Sequence, residues 1–442
     1  MFLRLAWSIC VAVSAAAESA PRLTPQKLIQ TRLDNGLRVV LAPDASAPVF
    51  GIAVTYDVGS RNERPGRTGF AHLFEHMMFQ GSKNVGKGEH FIQILNNGGG
   101  MNGTTNEDRT NYFETLPKNQ LELALFLEAD RMRALNVSQA NLDNQRNAVQ
   151  EERRLGIDNQ PYGKSYLEID NLSYDNFAYK HSVIGSMRDL NAATLADVRG
   201  FFKTYYAPNN AVLVLAGDIE PDDALARITK RFGSIPAQPK PEAPDLTEEE
   251  RIGERRTVVR DALARLPKLF ISWHIPRGNT PENDAVQMLA QVLDGGKSSR
   301  LYQRLVKDKE LATELDLSPD MRIGPSLLYA SLTPRPGVRP EDLEAALYEL
   351  LAEVQERGVT KAELAKARRQ VRRRVIERRQ TALSTAMEIG ELAVRFGDAE
   401  VFNQRYDRLM EITAAQIQEA ARKYLRPESR AVVLTLPKEG KT

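Results

Sequence analysis

Two histidines and a glutamate stand at a spacing that suits metal-dependent hydrolysis. His72, Glu75 and His76 fall in the apolar segment 69–79, where the pattern predicts a helix. Residues four apart lie on one face of a helix, so both imidazoles can reach one zinc ion, while the carboxylate beside them can take a proton from water on the metal. The order His-x-x-Glu-His is the inverse of the commoner zinc protease motif. The alternative is a helix whose histidines pair with carboxylates and whose apolar side chains only pack in a core.

A catalytic zinc ion normally takes three protein ligands and leaves one position for water. The other three of the five histidines stand in no obvious metal-ligand pattern: His90, His181 and His274. A carboxylate is therefore the expected third ligand. Segment 147–154 carries two adjacent candidates, Glu151 and Glu152, on a strong helical pattern. Because neighbours on a helix point about 100° apart, only one of them can face the metal.

The elements around these residues predict an α+β protein. An Asp34-Asn35-Gly36 turn indicates a hairpin, and apolar strands follow at 49–58, 101–105 and 111–116. Helical patterns lie between and after these strands: 69–79, 87–97, 121–135 and 140–157. This irregular alternation is typical of a largely antiparallel sheet with helices packed on one face.

The second half of the chain repeats the first. Tyr205 and Tyr424 stand in matching helix-and-strand units and lie 219 positions apart. The proline-rich, acidic segment 236–250 is the predicted linker. We therefore expect two homologous domains, residues 22–235 with the candidate metal site and residues 251–438 without it.

Residues 1–17 are typical of a cleaved secretion signal, with Arg4, a short apolar run and small residues at the cleavage site. Cys10 is the only cysteine and lies in this segment, so the mature chain is indifferent to an oxidising compartment. The bacterial periplasm is the predicted location. The apolar run is too short to span a bilayer, so no stable membrane span is expected.

Length and composition exclude several classes of protein. A chain of 442 residues is too long for one compact core. A mean hydropathy of -0.41 with 27% charged residues is typical of folded soluble domains, and excludes a polytopic membrane protein. A formal charge of +2 gives no electrostatic reason to expect a nucleic-acid partner.

The chain resembles the insulinase-like family of zinc peptidases, of the pitrilysin and mitochondrial processing type. The resemblance rests on His-x-x-Glu-His, with a glutamate on a second helix that 75 residues separate from His76, and it extends along nearly the whole mature chain. Further shared segments lie at 99–104, 161–163, 184–186 and 293–302. The resemblance implies a zinc endopeptidase that cleaves unfolded peptides, in which the two domains form half of a clamshell.

The resemblance also implies residue roles. His72, His76 and Glu152 are the implied zinc ligands, with Glu151 as the runner-up to Glu152. Glu75 is the implied general base. Asn102 is the implied substrate-binding residue. The alternative is that the glycines before it serve only to form a turn.

Three departures from the family pattern carry consequences. Gln145 stands where relatives often have a glutamate, and an amide cannot carry charge. The arginine and tyrosine that the family's C-terminal half usually supplies to bind the peptide and stabilise the oxyanion align with Val306 and Thr313. Segment 366–379 holds eight basic side chains, either as a solvated helix face or as a lining that attracts acidic peptides.

The missing pair predicts that the chain is the zinc-bearing subunit of a heterodimer whose homologous partner supplies the arginine and tyrosine. A homodimer in which Arg300 and Tyr302 take over is the first alternative. A non-catalytic scaffold subunit is the second, although such members of the family typically have degraded zinc motifs.

Overall fold

The computed structural model describes residues 23–250 and 252–438. The predicted secretion signal and Cys10 lie outside these ranges. The strands of the first sheet are β1 (Ile29–Arg32), β2 (Arg38–Pro43), β3 (Val49–Tyr56), β4 (Gly100–Thr105), β5 (Thr110–Pro117) and β6 (Ala211–Gly217). The strands of the second sheet are β7 (Arg255–Asp261), β8 (Lys268–Ile275), β9 (Ala312–Asp320), β10 (Ser326–Pro334) and β11 (Arg430–Pro437).

Helices account for most of the remaining residues. The first half contains α1 (Phe70–Met77), α2 (Glu89–Asn96), α3 (Leu121–Ala134), α4 (Gln139–Arg153), α5 (Gly163–Ser173), α6 (Phe177–Lys180), α7 (Met187–Ala192), α8 (Leu195–Tyr205) and α9 (Pro221–Phe232). The second half contains α10 (Pro281–Asp294), α11 (Pro340–Arg357), α12 (Lys361–Arg378), α13 (Ala382–Phe396), α14 (Val401–Glu411) and α15 (Ala414–Tyr424). No helix in the described ranges has both the length and the apolar character needed to cross a membrane.

The two sheets have the same strand order. The first runs β1-β2-β6-β3-β5-β4 and the second β7-β11-β8-β10-β9, so the second matches the first without its β1 edge. Each sheet has one parallel pair, β2 with β6 and β7 with β11, and its other neighbours are antiparallel. This architecture confirms the predicted α+β class with two like domains and largely antiparallel sheets.

Each domain packs its own helices on one face of its sheet. In the first domain, Ile52 and Leu213 of the sheet form a core with Leu73 of α1, Leu125 of α3 and Val149 of α4. In the second domain, α10, α11, α12 and α15 cover the corresponding face. The sequence prediction of helices on one face therefore describes the helices that belong to each sheet's own domain.

The opposite face of each sheet is covered by a helix from the other domain. Helix α13 lies on β3, β5 and β6, and α5 lies on β8 and β11. Gly51 of β3 permits this close approach, since a Cβ there would stand 2.5 Å from the Leu383 Cα. On the other side, Ser165 of α5 hydrogen-bonds Thr435 of β11 at 2.6 Å. Each domain thus contributes one helix to the other domain's sheet, and this exchange of helices interlocks the two domains.

A buried carboxylate joins the domains beside this exchange. Asp108, in the turn between β4 and β5, is 1% exposed. It accepts hydrogen bonds from Arg61 at 3.0 Å, Tyr179 at 2.8 Å and the Ile323 backbone at 2.8 Å, and it pairs with Arg395 of α13 at 3.3 Å. Burial alone would raise its pKa, but Arg61 and Arg395 hold the pKa of Asp108 below its ordinary value.

The predicted linker contains no helix or strand between residues 236 and 250. It is nevertheless tied to the first domain at its end. Glu248 accepts hydrogen bonds from the backbone N–H groups of Asp175 and Asn176. Leu246 packs beside Tyr179, in a small core that includes Leu327 of β10. The segment therefore runs across the junction of the domains.

Replacing Asp108 with asparagine should destabilise the chain strongly. The change removes the buried charge that Arg61 and Arg395 share and leaves each with a more exposed partner, Asp57 or Glu391. Breaking such a buried pair typically costs about 3 kcal/mol. The midpoint of urea-induced unfolding measures the loss. The control is Asp342→Asn, because Asp342 is exposed and its ion pair with Arg339 is open to solvent, so its loss of stability should be much smaller. Equal, small losses for both variants would show that the Asp108 contact does not hold the domains together.

Candidate metal centre

Helix α1 begins at a buried carboxylate. Glu63 accepts hydrogen bonds from the backbone N–H groups of Gly69 and Ala71, both at 2.8 Å. The Nε2 atom of His181 lies 3.0 Å from the same carboxylate, and its Nδ1 atom lies 2.8 Å from the Phe177 carbonyl oxygen. The backbone N–H groups at the start of a helix have no partner within the helix, so a negative group is favoured there. These contacts fix where α1 starts, and with it the positions of His72 in its first turn and His76 in its second.

The two faces of α1 have different roles. Leu73, Phe74 and Met77 are buried in the core of the first domain. His72 and His76 lie on the other face, with side chains 13% and 25% exposed. The apolar residues anchor the helix, and the spacing of four brings both imidazoles to one side.

Helix α4 brings a carboxylate to the two histidines. The Glu152 Oε2 atom lies 3.6 Å from His72 Nε2 and 3.3 Å from His76 Nε2. Around a tetrahedral zinc ion with bonds of about 2.0–2.1 Å, neighbouring ligand atoms are about 3.4 Å apart. The three side chains therefore match the spacing and the ligand chemistry of a zinc site. Glu151 points elsewhere and pairs with Arg154 at 2.9 Å.

The protonation states of this cluster favour a cation. Burial and the neighbouring His76 lower the pKa of His72 to about 4, so its imidazole is neutral at physiological pH. The hydrogen bond with His76 lowers the pKa of Glu152, which is therefore ionised. Burial lowers the pKa of His76, but its contacts with Glu152, Glu75 and Gln145 together raise it above the ordinary value. A metal ion bound by these ligands would displace the proton that His76 otherwise takes up.

Glu75 is held by strand β4. The hydroxyl of Thr105 donates to Glu75 Oε2 at 2.6 Å. Gly103 leaves room for the carboxylate, because a Cβ at that position would stand 2.9 Å from the Glu75 Cγ. Burial raises the pKa of Glu75, although the Thr105 hydrogen bond opposes the shift. A carboxylate of raised pKa and fixed orientation suits proton transfer near neutral pH.

Asn102 lies on the same strand and is exposed. Its Oδ1 atom accepts a hydrogen bond from the Gly103 backbone at 2.9 Å. Strand β4 pairs only with β5 among the described strands, so it forms the edge of the sheet beside Glu75. The structure thus places Asn102 near the candidate site without giving it a contact to the histidines.

A second cluster of potential metal ligands lies in the core. His90, Glu114 and Glu128 bring ligand atoms within 4.8 Å of one another, and all three are buried. The spacing of these residues in the sequence does not reveal the cluster, because they come from α2, β5 and α3. His90 Nε2 lies 2.5 Å from Glu114 Oε1.

Arg131 makes this second cluster a poor cation site. It forms an ion pair with both oxygens of Glu128 and is itself 1% exposed. Its guanidinium also lies over the ring of Tyr112, 4.6 Å from the ring centre. A fixed positive charge here already neutralises one carboxylate and would repel a metal ion.

The sequence matches two family models in succession. Residues 38–178 match the model of insulinase, peptidase family M16, and residues 192–371 match the model of the peptidase M16 inactive domain. The first match contains the histidines and Glu152, and the second begins before the linker. The chain belongs to peptidase family M16.

Several M16 relatives match along most of the chain. The zinc protease PqqE of Helicobacter pylori is 29% identical over 415 residues, which is 92% of each chain. The probable zinc protease PqqL of Escherichia coli is 25% identical over 344 residues, 74% of this chain and 36% of that protein. The crystal structure of a protease from Helicobacter pylori has a TM-score of 0.90 at 28% identity, and the match covers 94% of this chain and 100% of that one.

From the sequence, Val306 and Thr313 of the C-terminal domain are aligned with the family's arginine and tyrosine. Val306 packs against the domain core, and the hydroxyl of Thr313 donates to the Thr333 carbonyl oxygen at 3.2 Å. Arg300 is held by Glu363 at 2.5 Å, and this arginine lowers the pKa of Glu363 to about 2. Arg300 would have to leave this ion pair before it could bind a substrate.

Zinc binding should depend on Glu152 and not on its neighbour. Glu152→Gln removes the negative ligand beside the histidines, so we expect its zinc affinity to fall by about 100-fold or more. The matched control Glu151→Gln should bind one zinc ion per chain like the parent. Zinc titration against a competing chelator measures both. Loss of zinc in the Glu151 variant with retention in the Glu152 variant would reverse the assignment.

Proposed function

We propose that this chain is a zinc-dependent endopeptidase that cleaves unfolded peptides. The observation that carries the proposal is the convergence of His72, His76 and Glu152 within reach of one ion, with Glu75 on the same helix and oriented by Thr105. The names of the M16 relatives as zinc proteases support the metal and the reaction class.

Each residue then has a defined task. His72, His76 and Glu152 hold the metal, which when bound lowers the pKa of a coordinated water to about 7 and polarises a peptide carbonyl. Glu75 takes the proton from the attacking water and passes it to the departing amine. Thr105 keeps the Glu75 carboxylate oriented during both transfers, because its hydroxyl donates to Oε2 at 2.6 Å.

The open edge of β4 provides a place for the peptide. An extended peptide can add to a sheet edge through backbone hydrogen bonds, which requires no particular sequence. Such a strand would run beside Gly103 and Thr105, both of which lie against Glu75. Asn102 is exposed on this strand and would orient the peptide backbone.

We further propose that the chain works in a heterodimer in the periplasm. Neither Val306 nor Thr313 replaces the missing arginine and tyrosine, and Arg300 is engaged by Glu363. A homologous subunit that carries the pair would complete the site. The secretion-signal pattern supports the location, as does the periplasmic protease PqqL of Escherichia coli, whose first half shares this fold with a TM-score of 0.75 at 21% identity.

Glu75→Gln should abolish peptide cleavage and leave zinc bound. The amide cannot accept a proton, so we expect the cleavage rate to fall by at least about 100-fold, while the three ligands remain. Cleavage of a quenched fluorescent peptide and zinc content are measured on the same sample. Glu151→Gln serves as the control and should keep both. Cleavage by the Glu75 variant at the parent rate would rule out Glu75 as the base.

The heterodimer predicts low activity for the isolated chain. A missing oxyanion donor costs about 10²- to 10³-fold in rate, so adding a homologous subunit that carries the arginine and tyrosine should raise cleavage by a similar factor. The assay compares the chain alone, the partner alone and the mixture. Full activity of the chain alone would support the homodimer instead, and zinc binding without cleavage under all three conditions would support a scaffold.

A further inference from the structure

The C-terminal domain contains a counterpart of the metal centre at the same place in the fold. Gln291 and Asp294 follow His72 and Glu75 by 219 positions, the interval that also separates Tyr205 from Tyr424. Helices α10 and α12 pack together on their sheet as α1 and α4 do on theirs. Asp294 is bound by the neighbouring edge strand β9, where its Oδ2 atom accepts a hydrogen bond from the Leu317 backbone at 2.9 Å.

Amides and an arginine occupy this counterpart site. Gln291 Nε2 donates to Gln370 Oε1 at 2.9 Å, and Gln370 Nε2 donates to the Gly295 carbonyl oxygen at 2.6 Å. Arg374 donates to Gln291 Oε1 at 2.5 Å. The first domain gathers imidazoles and a carboxylate around a place for a cation, whereas this domain places a permanent positive charge there. The counterpart is therefore suited to an anion.

Positive charge on the surrounding helix is largely uncompensated. Within residues 23–250 and 252–438, no carboxylate oxygen lies within 4.0 Å of a side-chain nitrogen of Arg369, Arg374 or Arg378. Arg373 has one such contact, with Glu377 at 3.2 Å, and its side chain is 80% exposed. Like charges held on one helix face are unfavourable unless an anion relieves the repulsion.

A cavity of about 460 Å³ opens beside these arginines. Its basic lining is Lys366, Arg369, Arg373 and Arg374, and its acidic lining is Asp294 and Glu377. A second cavity of about 290 Å³ on the other side of Arg374 adds Arg378, Arg379 and Arg405, together with Asp294, Asp316 and Glu388. Basic groups outnumber acidic groups in both. The first cavity is large enough for several peptide side chains.

We propose that this arginine-lined site binds acidic side chains of the peptide substrate. The inference rests on the proposed peptidase function, and it adds a substrate class: unfolded peptides rich in glutamate or aspartate. Arginine is suited to this role because its planar guanidinium binds a carboxylate through two parallel hydrogen bonds. A peptide supplies several carboxylates on one flexible chain, so it can meet arginines spaced along α12.

Peptide binding tests this inference without requiring catalysis. The zinc-loaded Glu75→Gln chain is titrated with two fluorescent peptides of equal length, one with glutamate and the other with glutamine at alternate positions. The double variant Arg369→Gln, Arg373→Gln should bind the glutamate peptide about fivefold more weakly. Its affinity for the glutamine peptide should change less than about twofold. Fluorescence anisotropy gives both dissociation constants.

The control removes the same charge elsewhere. Arg188 and Arg339 are 87% and 74% exposed and lie outside α12, so replacing both with glutamine should leave the preference for the glutamate peptide intact. Equal weakening by both pairs of substitutions would show that only net charge matters and would overturn the inference. So would an unchanged or unmeasurable affinity for the glutamate peptide. Failure of the Glu75-bearing chain to cleave either peptide would count against the peptidase proposal and leave the binding difference standing.

Discussion

Each sheet of this protein has two apolar faces, and the helices of its own domain cover only one. In the first sheet, Val40, Val212 and Val214 point away from the domain's own helices and are fully or almost fully buried. Burying such a face requires another apolar surface, which α13 of the second domain supplies. In return, α5 of the first domain covers the open face of the second sheet. Neither domain therefore has a complete core without the other.

This exchange reaches the candidate metal centre through the turn between β4 and β5. Asp108 in that turn pairs with Arg395 of α13, and Arg109 both donates to the Thr104 carbonyl oxygen at 2.9 Å and pairs with Glu391 of α13. Thr105, directly before the turn, hydrogen-bonds Glu75. The orientation of the proposed base is therefore set by a strand end that the second domain anchors.

The sequence predicts the parts of the site that depend on local spacing. His72, Glu75 and His76 follow from a helical period within one segment. The family resemblance singles out Glu152, whose approach to the histidines depends on how α4 packs on α1. Thr105 and the Glu63–His181 pair escape prediction because they join residues far apart in the chain, and no periodicity encodes such contacts. The sequence does not predict the exchange of α5 and α13 for a related reason. An amphipathic pattern shows that a helix has an apolar face but not which sheet that face covers.

The location of bound zinc tests the central claim most directly. A crystal of the zinc-loaded chain, measured at the zinc absorption edge, should show one strong anomalous peak between His72, His76 and Glu152. Bond lengths of about 2.0–2.2 Å to two imidazole nitrogens and one carboxylate oxygen are expected. A peak in the core cluster of His90, Glu114 and Glu128, or no peak at either cluster, would contradict the account.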